Sequence, residues 1–136
     1  MAALIQQMHL LVVISLILWG AAPCRAQHMN EPDSPCARFA TTSDLVECLS
    51  KAKDSSDAKL NSLFLNIRGK LSASDAERLT TTERLWNKYR DANCEAERSL
   101  YEGGTGSSPA YLACLEALTR ARITDLWVTY AVRLKK

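Results

Sequence analysis

The sequence predicts an all-α protein: an antiparallel three-helix bundle or hairpin stapled by two disulfides, preceded by a signal peptide and an extended N-terminal arm. Apolar residues recur every three or four positions in three separate stretches, which is the helical period. No stretch of the sequence alternates between apolar and polar residues as a half-buried strand does. Short links join the stretches and place consecutive helices antiparallel. We assign 1–26 to the signal peptide, 27–41 to the arm and 42–136 to the helical domain.

The first 26 residues have the features of a removable export signal. Residues 10–19 are apolar apart from one serine, and small residues follow up to Ala26, after which we expect cleavage. A membrane-spanning helix needs about 20 apolar residues, so no stable anchor is expected after cleavage. Two alternatives stay open. Translation could start at Met8, because no Lys or Arg precedes the apolar run, and Cys24 could carry a lipid, although Pro23 stands where lipoprotein signals have Gly or Ala.

Charge and histidine content exclude several classes of function. The chain has 17 basic and 15 acidic residues, and cleavage removes only Arg25, so its net charge falls from +2 to +1. A nucleic-acid-binding domain would show a clustered basic excess, so no nucleic-acid partner is expected. The two histidines, His9 and His28, precede the predicted helices, which leaves the folded part without Ser-His or Cys-His chemistry.

Four cysteines remain after the predicted cleavage, and an even count in an exported chain predicts disulfides. Cys94 and Cys114 lie at similar distances from a glycine-rich turn, so an antiparallel hairpin brings them face to face. The other bridge is then Cys36–Cys48, which ties the arm to the first helix. The alternative is a zinc site, but the gaps of 11, 45 and 19 residues contain no Cys-x-x-Cys pair. We therefore predict no metal and no cofactor.

The first helix should begin near Thr42–Asp44, because these residue types are favoured at N-caps. Asp44 and Glu47 also have the spacing of a capping box. Its apolar face follows steps of three or four residues: Leu45, Leu49, Ala52, Ser56, Leu60, Leu63, Ile67 and Leu71.

The second and third helices follow from the same pattern. A serine-rich link supplies a new N-cap, with Ser74 and Glu77 at capping-box spacing, and the second helix should end at Gly103–Gly104. Ser108 followed by Pro109 predicts the start of the third helix. The second stripe is Leu79, Thr82, Trp86, Tyr89, Asn93, Ala96 and Leu100, with Leu85 beside it. The third is Leu112, Leu115, Leu118 or Thr119, Arg122, Leu126 and Tyr130, with Ile123 and Trp127 flanking it.

Five polar residues lie on or beside these apolar stripes: Asp57, Asn61, Arg90, Thr119 and Arg122. Such groups are costly to bury unless they are paired, so we predict a structural polar network. In it Arg90 or Arg122 bonds a carboxylate, with Asp57 as the first candidate. The alternative is that these charges are solvated at the edge of the stripe.

Acidic residues cluster on the second helix and leave one route to catalysis: Asp91, Glu95 and Glu97, with Glu102 beyond them. A carboxylate pair could run glycoside hydrolysis, but that chemistry needs a cleft, which a small three-helix bundle rarely provides. A solvated helix face is the simpler interpretation, so we predict no catalytic residues and no enzyme. The glycine-rich turn also lacks the Lys-Ser/Thr ending and preceding strand of a phosphate-binding loop.

Several motifs together resemble a known family. They are Cys36-x11-Cys48, Asp57-x2-Leu60-Asn61-x2-Phe64, Trp86-x2-Tyr89-Arg90-Asp91-x2-Cys94, Gly106-Ser107 and Cys114-Leu115-x3-Thr119-x2-Arg122. With them the chain resembles the lysozyme-inhibitor LprI-like family of exported bacterial proteins, much of which is filed as a domain of unknown function. The resemblance runs from about Cys36 to Leu126. Two positions depart from the family pattern: Glu83 stands where Gln is usual, and Phe64 where Tyr is usual.

The resemblance implies a helical, disulfide-linked domain that is periplasmic or secreted in the bacterial envelope, and for some members it implies inhibition of lysozyme. Inhibition would be steric, because a loop that offers hydrogen-bond donors could enter the acidic lysozyme cleft and exclude the sugar. The candidate binding loop is Gly103, Gly104, Thr105, Gly106, Ser107 and Ser108. The alternative is that this loop only connects two helices.

A second function hypothesis is a periplasmic scaffold or interaction domain without lysozyme-inhibitor activity. It would bind another envelope protein through an exposed helix face. Trp127 and Tyr130, near the end of the third helix, are the candidate patch. Buried aromatic side chains there would indicate core, and exposed ones would favour a partner site.

Overall fold

A computed structural model describes residues 28–39 and 41–135. The predicted signal peptide, its cleavage site after Ala26, the alternative start at Met8 and the lipidation candidate Cys24 all lie outside these residues. None of the helices in the described part is both long and apolar enough to cross a membrane.

Three long helices form the fold, and no strand occurs within residues 28–39 and 41–135. We name them α1 (Thr42–Gly69), α2 (Ala73–Ser99) and α3 (Ser107–Leu134), and a short 3-10 helix at His28–Asn30 precedes them. The three predicted helices and the all-α fold class are confirmed.

The helices run up, down and up, with α3 as the central element. On α2 and α3, Cys94 pairs with Cys114 and Glu83 contacts Arg122, so these two helices are antiparallel. α1 runs parallel to α3, because Ser56 near its middle bonds Glu116 and residues further along both helices share one core cluster. α3 contacts α1, α2 and the 3-10 helix, whereas α1 and α2 contact each other least. α1 and α2 therefore pack mainly against α3 and leave a groove between them.

Each helix begins slightly before its predicted cap. The Thr41 hydroxyl accepts from the Asp44 N–H at 3.2 Å and caps α1, and Ser72 accepts from the Asp75 N–H at 3.2 Å and caps α2. α3 starts after Gly106, without a side-chain cap. Hydroxyl residues stand at several neighbouring positions in each link, so composition alone does not decide which of them caps the helix.

The core of the described residues consists of one larger apolar region and two smaller ones. Around α1 the buried positions are Leu49, Ser56, Leu60 and Ile67, all on the predicted face. The larger region contains Leu60, Ile67, Leu79 and Leu126. Each smaller region contains disulfide cysteines, one with Leu49 and Ala113 and the other with Leu115.

Both predicted disulfides are confirmed. Cys36 bonds Cys48 and Cys94 bonds Cys114, with Cα atoms 6.0 Å and 5.4 Å apart. Three of the four cysteines are buried in the two smaller core regions, Cys36 in one and Cys94 with Cys114 in the other. One bridge therefore holds the arm on α1, and the other locks the α2–α3 hairpin.

The predicted stripe on α2 is wrong for its apolar members Leu85, Tyr89, Ala96 and Leu100, which are exposed. The buried residues of α2 are instead Leu79, Glu83 and Cys94. The physical reason is that the disulfide and the ion pairs of α2 turn a partly polar face toward α3. An apolar count alone does not detect such a face, because its charged members are buried only as pairs.

The arm, expected to be extended, contains the 3-10 helix and several turns and folds back onto α3. The His28 ring lies 2.6 Å from a carboxylate oxygen of Glu97 on α2, and Asp33 accepts from Arg120 on α3 at 2.7 Å. Cys36 holds the end of the arm. The arm is thus part of the folded domain.

Candidate functional site

Arg90 of α2 joins all three helices at the middle of the bundle. Its Nη1 donates to Asp57 of α1 and to Thr119 of α3, both at 3.0 Å. Its Nε and Nη2 donate to Asp91 at 3.1 Å and 3.0 Å, and its guanidinium carbon lies 5.3 Å from the centre of the Trp86 ring. Every nitrogen of this half-buried guanidinium therefore has an acceptor. The arrangement positions the helices and leaves no nitrogen of Arg90 unpaired.

Arg122 of α3 pairs with Glu83 of α2 rather than with Asp57. It donates to Glu83 Oε1 from Nε at 3.0 Å and also from Nη2. Glu83 is 7% exposed, and the guanidinium carbon of Arg122 lies 5.8 Å from the centre of the Trp86 ring. Glu83 is absent from the predicted network. The available clue was its helical spacing from Leu79.

A groove of about 420 Å³ lies between α1 and α2, beside the two ion pairs. Asn61, the remaining residue of the predicted network, is exposed in this groove and has no hydrogen bond to another described residue. Phe64 and Glu83 also line it, together with Asp57 and Arg90 of the ion pairs. The groove therefore adjoins the residues that join the helices.

A second set of ion pairs fixes the arm to α3. Glu116 is buried, accepts from Ser56 of α1 at 3.2 Å and accepts from Arg120 at 3.2 Å. Arg120 also donates to Asp33 of the arm, and this hydrogen bond is the main reason that the pKa of Arg120 is raised. The arm, α1 and α3 are thus joined through one short chain of polar contacts.

His28, Glu97 and Cys114 lie close enough together to resemble a metal site. The sulfur of Cys114 is bonded to Cys94, however, and a metal needs a free thiolate. His28 instead binds Glu97 twice, through its ring at 2.6 Å and through its backbone N–H at 3.2 Å. The group anchors the arm and does not offer a complete set of metal ligands.

Three of the four carboxylates named for glycoside chemistry are engaged in other contacts, and the fourth, Glu102, lies exposed beyond the end of α2. Asp91 accepts from Arg90, and Glu97 accepts from His28. Glu95 accepts from Arg98, and this hydrogen bond lowers the pKa of Glu95. A catalytic acid needs a raised pKa, so Glu95 is unsuited to that role.

The loop between α2 and α3 is exposed at its tip. Gly103 has a φ of +79°, a conformation that glycine adopts without strain. Gly104, Thr105 and Ser108 are also exposed, whereas Gly106 and Ser107 are half-buried. The Tyr101 ring packs beneath Gly106, and burial, followed by the nearby charge of Glu97, raises the pKa of its hydroxyl. The loop therefore rests on an aromatic ring at its base.

Gly106→Ala should destabilise this loop. A Cβ atom at position 106 would lie 2.7 Å from the Tyr101 ring, so the ring must move. We expect a loss of about 1–3 kcal/mol in the free energy of unfolding, measured by urea denaturation. Gly104→Ala is the matched control, because its Cβ would meet only a backbone oxygen at 3.4 Å. Equal stability of the two variants would contradict the packing described for Tyr101.

A protein-family model described as lysozyme inhibitor LprI matches residues 36–126. The chain belongs to the LprI family. The matched range begins at the cysteine that closes the arm and ends at Leu126 in the larger core region, so it covers the bundle.

One relative of this LprI protein is an uncharacterised protein of Rhizobium meliloti (strain 1021). The two are 29% identical over 126 residues, which is 83% of this chain and 88% of the relative. No solved structure matches the chain. The relative supports the extent of the domain and assigns no activity.

Within this LprI domain the two aromatic residues named for the scaffold hypothesis have different surroundings. Trp127 is 55% exposed, whereas Tyr130 packs partly buried against the larger core region. Val128 and Val132 are 70% and 72% exposed on the same end of α3. An exposed apolar patch thus exists there, but it is built from Trp127 and the two valines rather than from Tyr130.

Proposed function

We propose that this protein is exported to the periplasm or secreted, where it inhibits a lysozyme without catalysis, by blocking access to its cleft. The observation that carries the proposal is the match to the lysozyme-inhibitor family over residues 36–126. The two disulfides support export, because such bonds persist in oxidising compartments.

The loop 103–108 is the contact surface that we propose. A lysozyme cleft contains two carboxyl groups, which attract hydrogen-bond donors. The loop offers the hydroxyl of exposed Thr105 and, at the start of α3, that of exposed Ser108. Gly106 provides no side-chain cap, and the Ser108 N–H, in the first turn of α3 at the positive end of the helix dipole, has no backbone acceptor among the described residues. Donors and dipole both favour an acidic target.

The rigidity of the loop supports the same proposal. Cys94–Cys114 locks the two helices that carry the loop, and Tyr101 packs under Gly106. A preorganised loop loses less conformational entropy on binding, which leaves more of the contact energy for affinity. A short rigid loop can therefore block the lysozyme cleft without a large interface.

The test is lysis of bacterial cell walls by c-type lysozyme with and without the purified, oxidised protein. We expect a micromolar excess to slow lysis. Thr105→Asp and Ser108→Asp should weaken inhibition by tenfold or more, since each places a negative charge against the catalytic carboxylates. Ser62→Asp on the exposed surface of α1 is the matched control.

The outcomes separate two parts of the proposal. No slowing of lysis at micromolar excess rejects lysozyme inhibition. Slowing that is equally strong with the loop variants and with the Ser62→Asp control keeps inhibition and rejects the loop as its contact surface.

The exposed patch of Trp127, Val128 and Val132 favours a second candidate function, an envelope interaction domain. Capture of a specific envelope protein by the wild type, and its loss with Trp127→Ala, would support this function. Tyr89→Ala is the control, because Tyr89 is a similarly exposed aromatic residue on α2. Equal capture by both variants would count against the patch.

A further inference from the structure

The groove between α1 and α2 is lined by side chains that belong neither to the disulfides nor to the loop 103–108. Its volume of about 420 Å³ falls within the range of roughly 300–1,000 Å³ that small-molecule sites occupy. α1 forms one wall and α2 the other, and the paired side chains of Asp57, Arg90 and Glu83 are part of its lining. The groove thus combines ion-paired side chains with exposed polar ones.

Glu83 presents a carboxylate oxygen without a partner in this groove. Both hydrogen bonds from Arg122 reach Oε1, and no group in residues 28–39 and 41–135 donates to Oε2. Glu83 is 7% exposed and lines the groove. Because Arg122 holds the carboxylate in place through Oε1, Oε2 is a positioned acceptor for a ligand hydroxyl or amide.

The walls add two free amides. Asn61 on α1 and Asn87 on α2 are exposed, both line the groove, and neither is hydrogen-bonded to any other residue that the structure describes. Each amide offers an acceptor oxygen and a donor nitrogen. A ligand between them would therefore meet donors and acceptors from both sides.

The charges of the groove balance. Asp57 is bonded to Arg90 and Glu83 to Arg122, and Arg84 lies 3.8 Å from a carboxylate oxygen of Glu77. A charged ligand would gain little from such a field, whereas a neutral ligand avoids the cost of losing its hydration as an ion. Phe64 and Leu60 provide an apolar surface beside the polar groups. The ligand should thus be neutral, with hydroxyl edges and one apolar face.

We propose that this groove binds a neutral mono- or disaccharide. Its hydroxyls bond Asn61, Asn87 and Glu83 Oε2, and the C–H face of a sugar ring packs on Phe64. The inference does not rest on lysozyme inhibition, because the groove and the loop 103–108 share no residue.

The test is an NMR titration of the oxidised, isotope-labelled protein with the disaccharide of N-acetylglucosamine and, separately, with maltose. We expect saturable amide shifts centred on Asn61, Phe64 and Asn87 with at least one of the two sugars. Asn61→Ala and Asn87→Ala should each weaken binding roughly three- to tenfold through the lost hydrogen bonds, with unchanged melting curves. Asn66→Ala, an exposed asparagine on α1 outside the groove, is the matched control and should bind like the wild type.

Three results would overturn the assignment. The first is the absence of saturable shifts with both sugars at tens of millimolar. The second is binding that Asn61→Ala and Asn87→Ala leave as strong as in Asn66→Ala. The third is tighter binding of cationic glucosamine than of neutral N-acetylglucosamine, which would identify an acidic site for cations instead.

Discussion

Replacing Cys94 and Cys114 together by alanine is expected to lower the free energy of unfolding by about 3 kcal/mol. The bridge closes a segment with a sequence separation of 20 residues, and its loss returns conformational freedom to the unfolded chain. Both sulfurs are fully buried, so lost packing adds to the effect. For a domain of this size the melting temperature should fall by roughly 10–20 °C.

Calorimetry and urea denaturation of the double variant would measure this loss. The matched comparison is Cys36→Ala with Cys48→Ala, whose bridge spans a separation of 12 residues. Chain entropy predicts a slightly smaller loss in the free energy of unfolding for this variant. Its arm should be released from α1, while its helix content, measured by circular dichroism, should stay unchanged. A loss below 1 kcal/mol for the Cys94 and Cys114 variant would refute the view that this bridge stabilises the hairpin.

Arg122→Leu is expected to cost roughly 3–5 kcal/mol, because it leaves the buried Glu83 carboxylate without its cation. Arg122 is the partner that lies within ion-pair distance of Glu83 among the described residues. Replacing both residues, Glu83→Leu with Arg122→Leu, should recover most of the loss, since two apolar side chains leave no unpaired charge. Stability of the single and double variants by urea denaturation measures the difference.

The control for this effect is Arg98→Leu, which breaks an exposed ion pair with Glu95 on α2. Exposed pairs contribute little to stability, so this variant should stay close to the wild type. If Arg122→Leu were no more harmful than Arg98→Leu, or if the double variant were as unstable as the single one, Glu83 would not depend on Arg122.

The stripe on α1 could be predicted because its apolar residues fall on one face in unbroken steps. The buried face of α2 could not be predicted in this way. Its true buried face includes Glu83, and Arg90 is half-buried beside it, so no hydrophobicity pattern separates this face from a solvated one. The exposed Tyr89 belongs to the more apolar side of the helix, which is the side that periodicity selected.

The residues of the candidate site also fall into those that the sequence could predict and those that it could not. Asp57, Arg90 and Thr119 could be named from the sequence because each is a polar residue on an otherwise apolar stripe. Their geometry, and the choice of Glu83 as the partner of Arg122, depends on how α2 is rotated against α3. The groove with Asn61 has no signature in the sequence, because it arises where two helices fail to pack closely.

By itself the sequence determined three helices, their up-down-up order and the pairing of the cysteines. These features depend on helical period, short links and the position of the turn, which are all local along the chain. Only the tertiary structure decided the rotation of α2 and the return of the arm onto the bundle. The contacts responsible join residues 39 positions apart in Glu83–Arg122 and 69 apart in His28–Glu97. Charged side chains this far apart in sequence find each other only after the apolar faces have packed, because burial is what makes their pairing necessary.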